Sequence, residues 1–193
     1  MRIQNDQIDR YKRIITPLFD SKRTAGDHEE ALRSFGELLG FESTRPEQEE
    51  DNDSTLDVLW SSPTAHQGIP FSLKTKKKSM GSINQTDVGE AFNHLEWLAK
   101  THKSMQVLGL IFVSESQECT KAAAPSDNMW LTDVDRIKRL YEETVQMLLA
   151  LQRMKPLDRY VEIGALSTRA EWQPNAIFER IRGNRLIDKK KQN

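Results

Sequence analysis

The chain has 193 residues, a length that suits one domain with appendages better than two full domains. Hydrophobic residues make up 37% and charged ones 30%, with a mean hydropathy of -0.67, the balance of a globular protein with a wet surface and no apolar run near the roughly 20 residues that cross a bilayer. The formal net charge of -1 excludes a surface uniformly coated in positive charge for nucleic acid.

In chain order, Ile8, Tyr11, Ile14, Ile15, Leu18 and Phe19 recur at helical spacing and predict a first helix over residues 7–19. A polar loop over 21–26 follows, with Asp27 as the expected cap of the next helix. Leu32, Phe35, Leu38 and Leu39 form the buried stripe of that helix, and Gly40 is placed to end it in a left-handed conformation. A short strand is expected over 41–44, then an acidic loop over 45–54, a strand over 55–61, a turn between Pro63 and Gly68, and a hairpin partner over 69–75. Residues 86–101 read as a helix with Val88, Ala91, Phe92, Leu95 and Leu98 on one side, and 107–113 as a fully buried strand. A polar linker over 114–128 leads to a long helix over 133–154, stopped by Pro156. Beyond it the pattern is weak, with a strand read at 160–163, a helix at 175–181 and a basic tail. The expected architecture is a mixed α/β fold with a central sheet, divided into an N-terminal helix (1–20), a core domain (21–155) and a C-terminal extension (156–193).

Charge is segregated along the chain. Acid gathers at Glu47, Glu49, Glu50, Asp51 and Asp53, and base at Lys74, Lys76, Lys77, Lys78 and again at Lys189, Lys190 and Lys191. Such separation allows a local phosphate-facing patch on a nearly neutral protein. The single cysteine, Cys119, rules out an intrachain disulfide. His94 and His102 lack a third ligand, which argues against a metal role, and His28 and His66 are unassigned. Trp60, Trp97, Trp130 and Trp172 read as core or interface anchors. The N-terminal MRIQNDQIDR has no apolar signal core, so a cytoplasmic address is expected.

Metal-assisted hydrolysis of a phosphodiester needs carboxylates to hold a hard divalent cation and a cation or base beside the attacking water. A hairpin supplies both at fixed distance, because residues on one face of neighbouring strands touch. Asp57 is the polar residue in Leu56-Asp57-Val58-Leu59-Trp60, and Lys74 follows Ser72 by two positions in Phe71-Ser72-Leu73-Lys74-Thr75, hence on the same side of its strand.

The order of Glu29 in a helix, Asp57 in one strand, Leu73-Lys74 in the next and Ile83-Asn84-Gln85-Thr86-Asp87-Val88-Gly89 opening the following helix resembles the restriction-endonuclease-like PD-(D/E)xK nuclease superfamily. Gly40-Phe41, Asp57-Val58-Leu59-Trp60 and Lys74-Thr75-Lys76-Lys77 are similar to that family's wording, over roughly residues 25–115. The resemblance implies a restriction-endonuclease-like fold and a Mg²⁺- or Mn²⁺-dependent nuclease acting on DNA, in the manner of a restriction or antiviral defence effector. It implies Asp57 as a metal carboxylate, the Leu73 backbone carbonyl as a second ligand, and Lys74 as the group that orients or activates water and stabilises developing charge. Glu29, preferred to Glu30 because Leu32 follows it on the inward face, becomes the helical carboxylate, and Gln85 an auxiliary residue near the phosphate. Lys76, Lys77 and Lys78 are either a solvated turn or a nucleic-acid contact.

The departure is Ser72, where the family carries Glu, Asp or Gln as a direct ligand. A neutral hydroxyl binds metal weakly or through water, unless Glu29 or a carboxylate of 47–53 compensates. The alternative is therefore a pseudo-nuclease of the same fold, binding nucleic acid or protein as a subunit of a larger complex. A homodimer would let two sites cut a duplex, and residues 140–151 suit either a core helix or a dimer face. A structural adaptor built on the 133–154 helix is the third class, and it uses none of the polar residues.

Overall fold

The computed structural model describes residues 13–49, 56–75 and 81–189. Its centre is a seven-stranded mixed sheet in the order β1-β2-β3-β5-β6-β7, with β4 pairing β3 beside β5. The strands are β1 (Glu42–Thr44), β2 (Val58–Ser62), β3 (Gln67–Leu73), β4 (Gln106–Val107), β5 (Leu110–Val113), β6 (Met129–Thr132) and β7 (Asn184–Arg185). β1, β2 and β3 form an antiparallel meander, β3, β5 and β6 run parallel, and β7 closes the far edge antiparallel to β6.

Helices cover both faces, as a sheet with buried parallel strands requires. On one side α1 (Ala25–Leu38), α3 (Val134–Arg153) and α5 (Pro174–Ile181) pack over β2, β3 and β5. The centre of that layer is aromatic: Trp60 meets Phe35 edge-on at 5.6 Å, stacks on Phe41 at 5.5 Å and lies 4.7 Å from Phe71. Its indole N–H is not stranded, donating to the Leu32 carbonyl at 3.1 Å. On the other side α2 (Gln85–Thr101) lays Val88, Ala91 and Leu98 over Leu59, Leu110 and Phe112. The crossover that a parallel pair needs, from β3 to β5, runs through α2.

Several expectations are corrected. The first helix, as far as the described residues show it, closes in a tighter 3₁₀ turn at Thr16–Phe19, and the acidic segment opens with a helical turn at Pro46–Glu49. Thr24, not Asp27, caps α1: Thr24 Oγ1 accepts from the Asp27 N–H at 3.1 Å while Asp27 accepts from the Thr24 N–H at 3.0 Å, a reciprocal capping box. Gly40 does take a left-handed φ of 91° just past that helix. The expected strand over 107–113 is two strands, broken at Gly109, whose φ of 151° and close approach to Trp130 and Phe178 leave no room for a side chain. β6 falls on the four residues Met129–Thr132 left unassigned between the expected linker and the expected helix, since they abut the helix cap Asp133 and show no alternation. Residues 160–163 are not a strand. The long helix does end at Arg153, shortly before Pro156, and Pro156 in turn opens α4 (Pro156–Thr168), which contains them, because proline at a first helical position sacrifices no hydrogen bond. The stretch 156–193 also supplies Ile177, Phe178 and Ile181 to the core and β7 to the sheet. No described helix is long and apolar enough to cross a membrane.

Candidate functional site

The β2–β3 register decides which way the candidate residues face. Val58 pairs Phe71, and both point into the α1/α3 layer, so Ser72, the next residue of β3, faces α2. Ser72 pairs Phe112, which belongs to the α2 layer. Asp57 stands one residue before β2 and Lys74 one after β3, rather than within the strands, at the end of the sheet where the parallel strands finish. The Leu73 N–H donates to Asp57 Oδ2 at 2.5 Å, tying the two segments together.

Burial pushes the Asp57 carboxyl up to about 7, with the charges of Glu29 and Glu47 adding to the effect and the Leu73 N–H and Lys74 opposing it. Among the described residues of the acidic segment, Glu47 is one whose field reaches the site. Lys74 is drawn to α2: its Nζ lies 2.6 Å from Glu90 Oε2 and 3.9 Å from Asp87 Oδ1. Burial works against its charge, but Glu90, Asp57 and Asp87 outweigh it and hold the ammonium above its ordinary value. Lys74 therefore stays protonated near neutral pH. It is an electrostatic group here, while the side chain poised near neutrality is Asp57.

Asp87 is fixed by its local sequence. Asn84 caps α2, accepting from the Thr86 and Asp87 N–H groups at 2.9 and 3.1 Å, and Asp87 Oδ2 returns the bond by accepting from the Asn84 N–H at 2.8 Å. His94, one turn beyond Glu90, is buried, with burial and then the Lys74 charge pressing its imidazole down to about 4. Among the described residues its Nδ1 finds no hydrogen-bond partner, and neither does the hydroxyl of the fully buried Ser72. Asp87, Glu90 and His94 are members of the site that sequence reasoning does not single out. Their signal is a spacing of three and four on one face of a helix directly after the Lys74 strand.

Glu29 is near enough to act on Asp57 but is bound to Arg45, with the Arg45 Nη2 donating to Glu29 Oε2 and both side chains largely buried. Gln85 is exposed on the first turn of α2. Lys76, Lys77 and Lys78 lie outside the described residues, as do Glu50, Asp51, Asp53, Lys190 and Lys191. His102 caps the end of α2 and sits edge-on to Trp97 at 5.5 Å, in a packing role separate from His94. Among the described residues no group of three or more His, Cys, Asp or Glu is arranged to hold a metal ion.

A magnesium-type ion does not demand such a cage, since it is commonly held by one or two carboxylates together with waters and substrate oxygens. The donor chemistry fits that mode: a buried carboxyl held proton-bound by burial and neighbouring negative charge is the kind of group a dication relieves. Comparison with known proteins adds no assignment, for no protein-family model, no curated protein and no solved structure matches the chain.

Proposed function

We propose that the protein is a metal-dependent nuclease of the PD-(D/E)xK kind, hydrolysing phosphodiester bonds of DNA at the end of the β2–β3 hairpin. The observation that carries this reading is the convergence of Asp57 and Lys74 at the end of the β2–β3 hairpin, where the Leu73 N–H donates to Asp57 and the charges of Asp57 and Lys74 act on one another. Asp57 and the Leu73 carbonyl would hold Mg²⁺ or Mn²⁺, with Glu29 and Glu47 contributing field. The bound ion would supply Lewis acidity and a water of lowered pKa. Lys74, kept charged, neutralises the negative charge that grows on the non-bridging phosphate oxygens as water adds to phosphorus and the bond to the leaving oxygen breaks. Glu90 and Asp87 hold the ammonium in place through their contacts to Nζ.

A second reading, the pseudo-nuclease that binds nucleic acid or protein within a larger complex, is favoured by two observations. The position that should carry a ligand is the buried, neutral Ser72, and Glu29 is engaged by Arg45. Nicking of supercoiled plasmid in Mg²⁺ and in Mn²⁺ separates the two. The nuclease cuts, and Asp57→Ala and Lys74→Ala each abolish cutting while the melting transition persists. A protein that cuts neither plasmid nor linear or single-stranded DNA in either ion, yet binds DNA with an affinity falling steeply with salt, is the pseudo-nuclease.

A further inference from the structure

A cleft of about 440 Å³ opens at the same end of the sheet, on the side of α1 and α3. This is within the size range of small-molecule sites and lies beyond the carboxyl ends of parallel strands, where ligands of open α/β sheets bind. Its floor is the contact between His28 and Thr75. His28 Nε2 lies 3.0 Å from the Asp20 carbonyl, which can only accept, so Nε2 carries a proton and a neutral ring accepts the Thr75 hydroxyl proton at Nδ1, 2.5 Å away. His28 directly precedes Glu29, and Thr75 directly follows Lys74. The cleft is therefore one residue removed from two members of the proposed site and on the opposite layer from Glu90.

The lining decides what enters. Phe19 is 36% exposed, and Lys138 Nζ lies over one face of its ring, 5.6 Å from the centroid. Asp135 and Lys138, three apart on α3, place an acceptor and a donor on one helix face. Glu115 and Asp133 complete a lining in which carboxylates outnumber the ammonium, a field that repels phosphate. What suits it is a flat, neutral, aromatic group with N–H donors beside an acceptor. The Watson–Crick edge of each nucleobase, free only when the base is unpaired, has that character.

We propose that this cleft receives an unpaired nucleobase of the substrate, stacked on Phe19 and hydrogen-bonded at its edge by Asp135 and Lys138, while the adjoining phosphate lies toward Lys74. The proposal rests on the nuclease reading for the place of the phosphate. It makes the preferred substrate a single strand, or a duplex with one base out of the stack, rather than an intact helix, since a paired base cannot reach the cleft.

Fluorescence anisotropy of the full chain in EDTA, where no metal-dependent cutting occurs, tests it with short labelled single strands carrying a central base or a central abasic site, and with matched duplexes. The base-bearing strand should bind about tenfold tighter than the abasic one and than the perfect duplex, a loss typical of one stacked base. Phe19→Ala should bring base-bearing and abasic strands to the same affinity, and Asp135→Asn, at an exposed position, should reduce the difference severalfold without threatening the fold. Equal affinity of the wild-type protein for base-bearing and abasic strands overturns the cleft assignment, as does a preference that survives both substitutions. Cutting of plasmid, linear and single-stranded DNA in Mg²⁺ and Mn²⁺ reports separately: discrimination without cutting of any of them leaves the cleft standing and removes the nuclease, and cutting without discrimination does the reverse.

Discussion

Replacing Asp57 by asparagine should stabilise the protein at alkaline pH and leave it nearly unchanged in acid. The carboxyl is held at about 7 in the folded chain against an ordinary 3.8, so between those values the folded state keeps a proton that the unfolded state has lost. Stability contributed by this group is complete below 3.8, declines as pH rises, and is gone above about 7. The gap corresponds to about 4 kcal/mol, because each tenfold change in proton affinity is worth roughly 1.4 kcal/mol. An asparagine side chain never ionises and its amide oxygen can still accept from the Leu73 N–H, so the variant escapes that loss. For a chain of 193 residues the apparent melting temperature in EDTA should be roughly 10 °C higher than wild type at about pH 8, and the two should converge near pH 4. Magnesium at about a hundred times its dissociation constant should return about 2.7 kcal/mol to the wild type and nothing to the variant. Melting curves across pH, with and without the ion, measure all of this. A difference that is flat with pH, or an Asp57→Asn variant less stable than wild type in alkali, would refute the claim that Asp57 carries buried negative charge at this site.

The other predictions concern its surroundings. Ser72→Glu restores the carboxylate of the nuclease pattern but at a fully buried position next to Leu73, whose N–H donates to Asp57, so it should lower the melting temperature in EDTA at alkaline pH and regain most of the loss in Mg²⁺; a titration calorimeter should show tighter metal binding than wild type. Arg45→Ala leaves Glu29 charged and largely buried, a cost of about 3 kcal/mol in urea unfolding, of which the double variant with Glu29→Ala should recover a substantial part. Gly109→Ala demands a strained φ and places a methyl 2.9 Å from Trp130 and Phe178, and should destabilise by about 2 kcal/mol or more on the same unfolding curve.

Local chemistry was readable where it repeats along the chain. The stripe Leu32, Phe35 and Leu39, the long amphipathic helix after Asp133 and the hairpin around Pro63 to Gly68 all declare themselves through periodicity and turn residues, which depend only on neighbours in sequence. The strand arithmetic also put Lys74 on the side of Ser72, because side chains alternate with a period of two whatever the rest of the fold does, whereas the meeting of Asp57 with the Leu73 N–H waited on the pairing of the two segments. Periodicity was silent for short pieces. Two-residue strands such as β4 and β7 acquire their identity from the partners they find, not from any pattern of their own. Residues 160–163, apolar and β-branched in part, entered a helix once Pro156 opened it and Arg159 turned back to the carbonyls of Leu151 and Gln152 that end α3.

The electrical character of the site belonged to the tertiary structure alone. That Asp57 binds its proton near neutrality, that Lys74 leans on Glu90, that Arg45 claims Glu29 and that Ser72 and His94 are buried away from water all follow from distances between segments far apart in sequence. A carboxyl's affinity for a proton is set by how much solvent and which charges surround it, and no local pattern encodes either quantity. The residue types at Asp57 and Lys74 were legible in one dimension; their protonation states came into being only when α1, α2 and the hairpin closed around them.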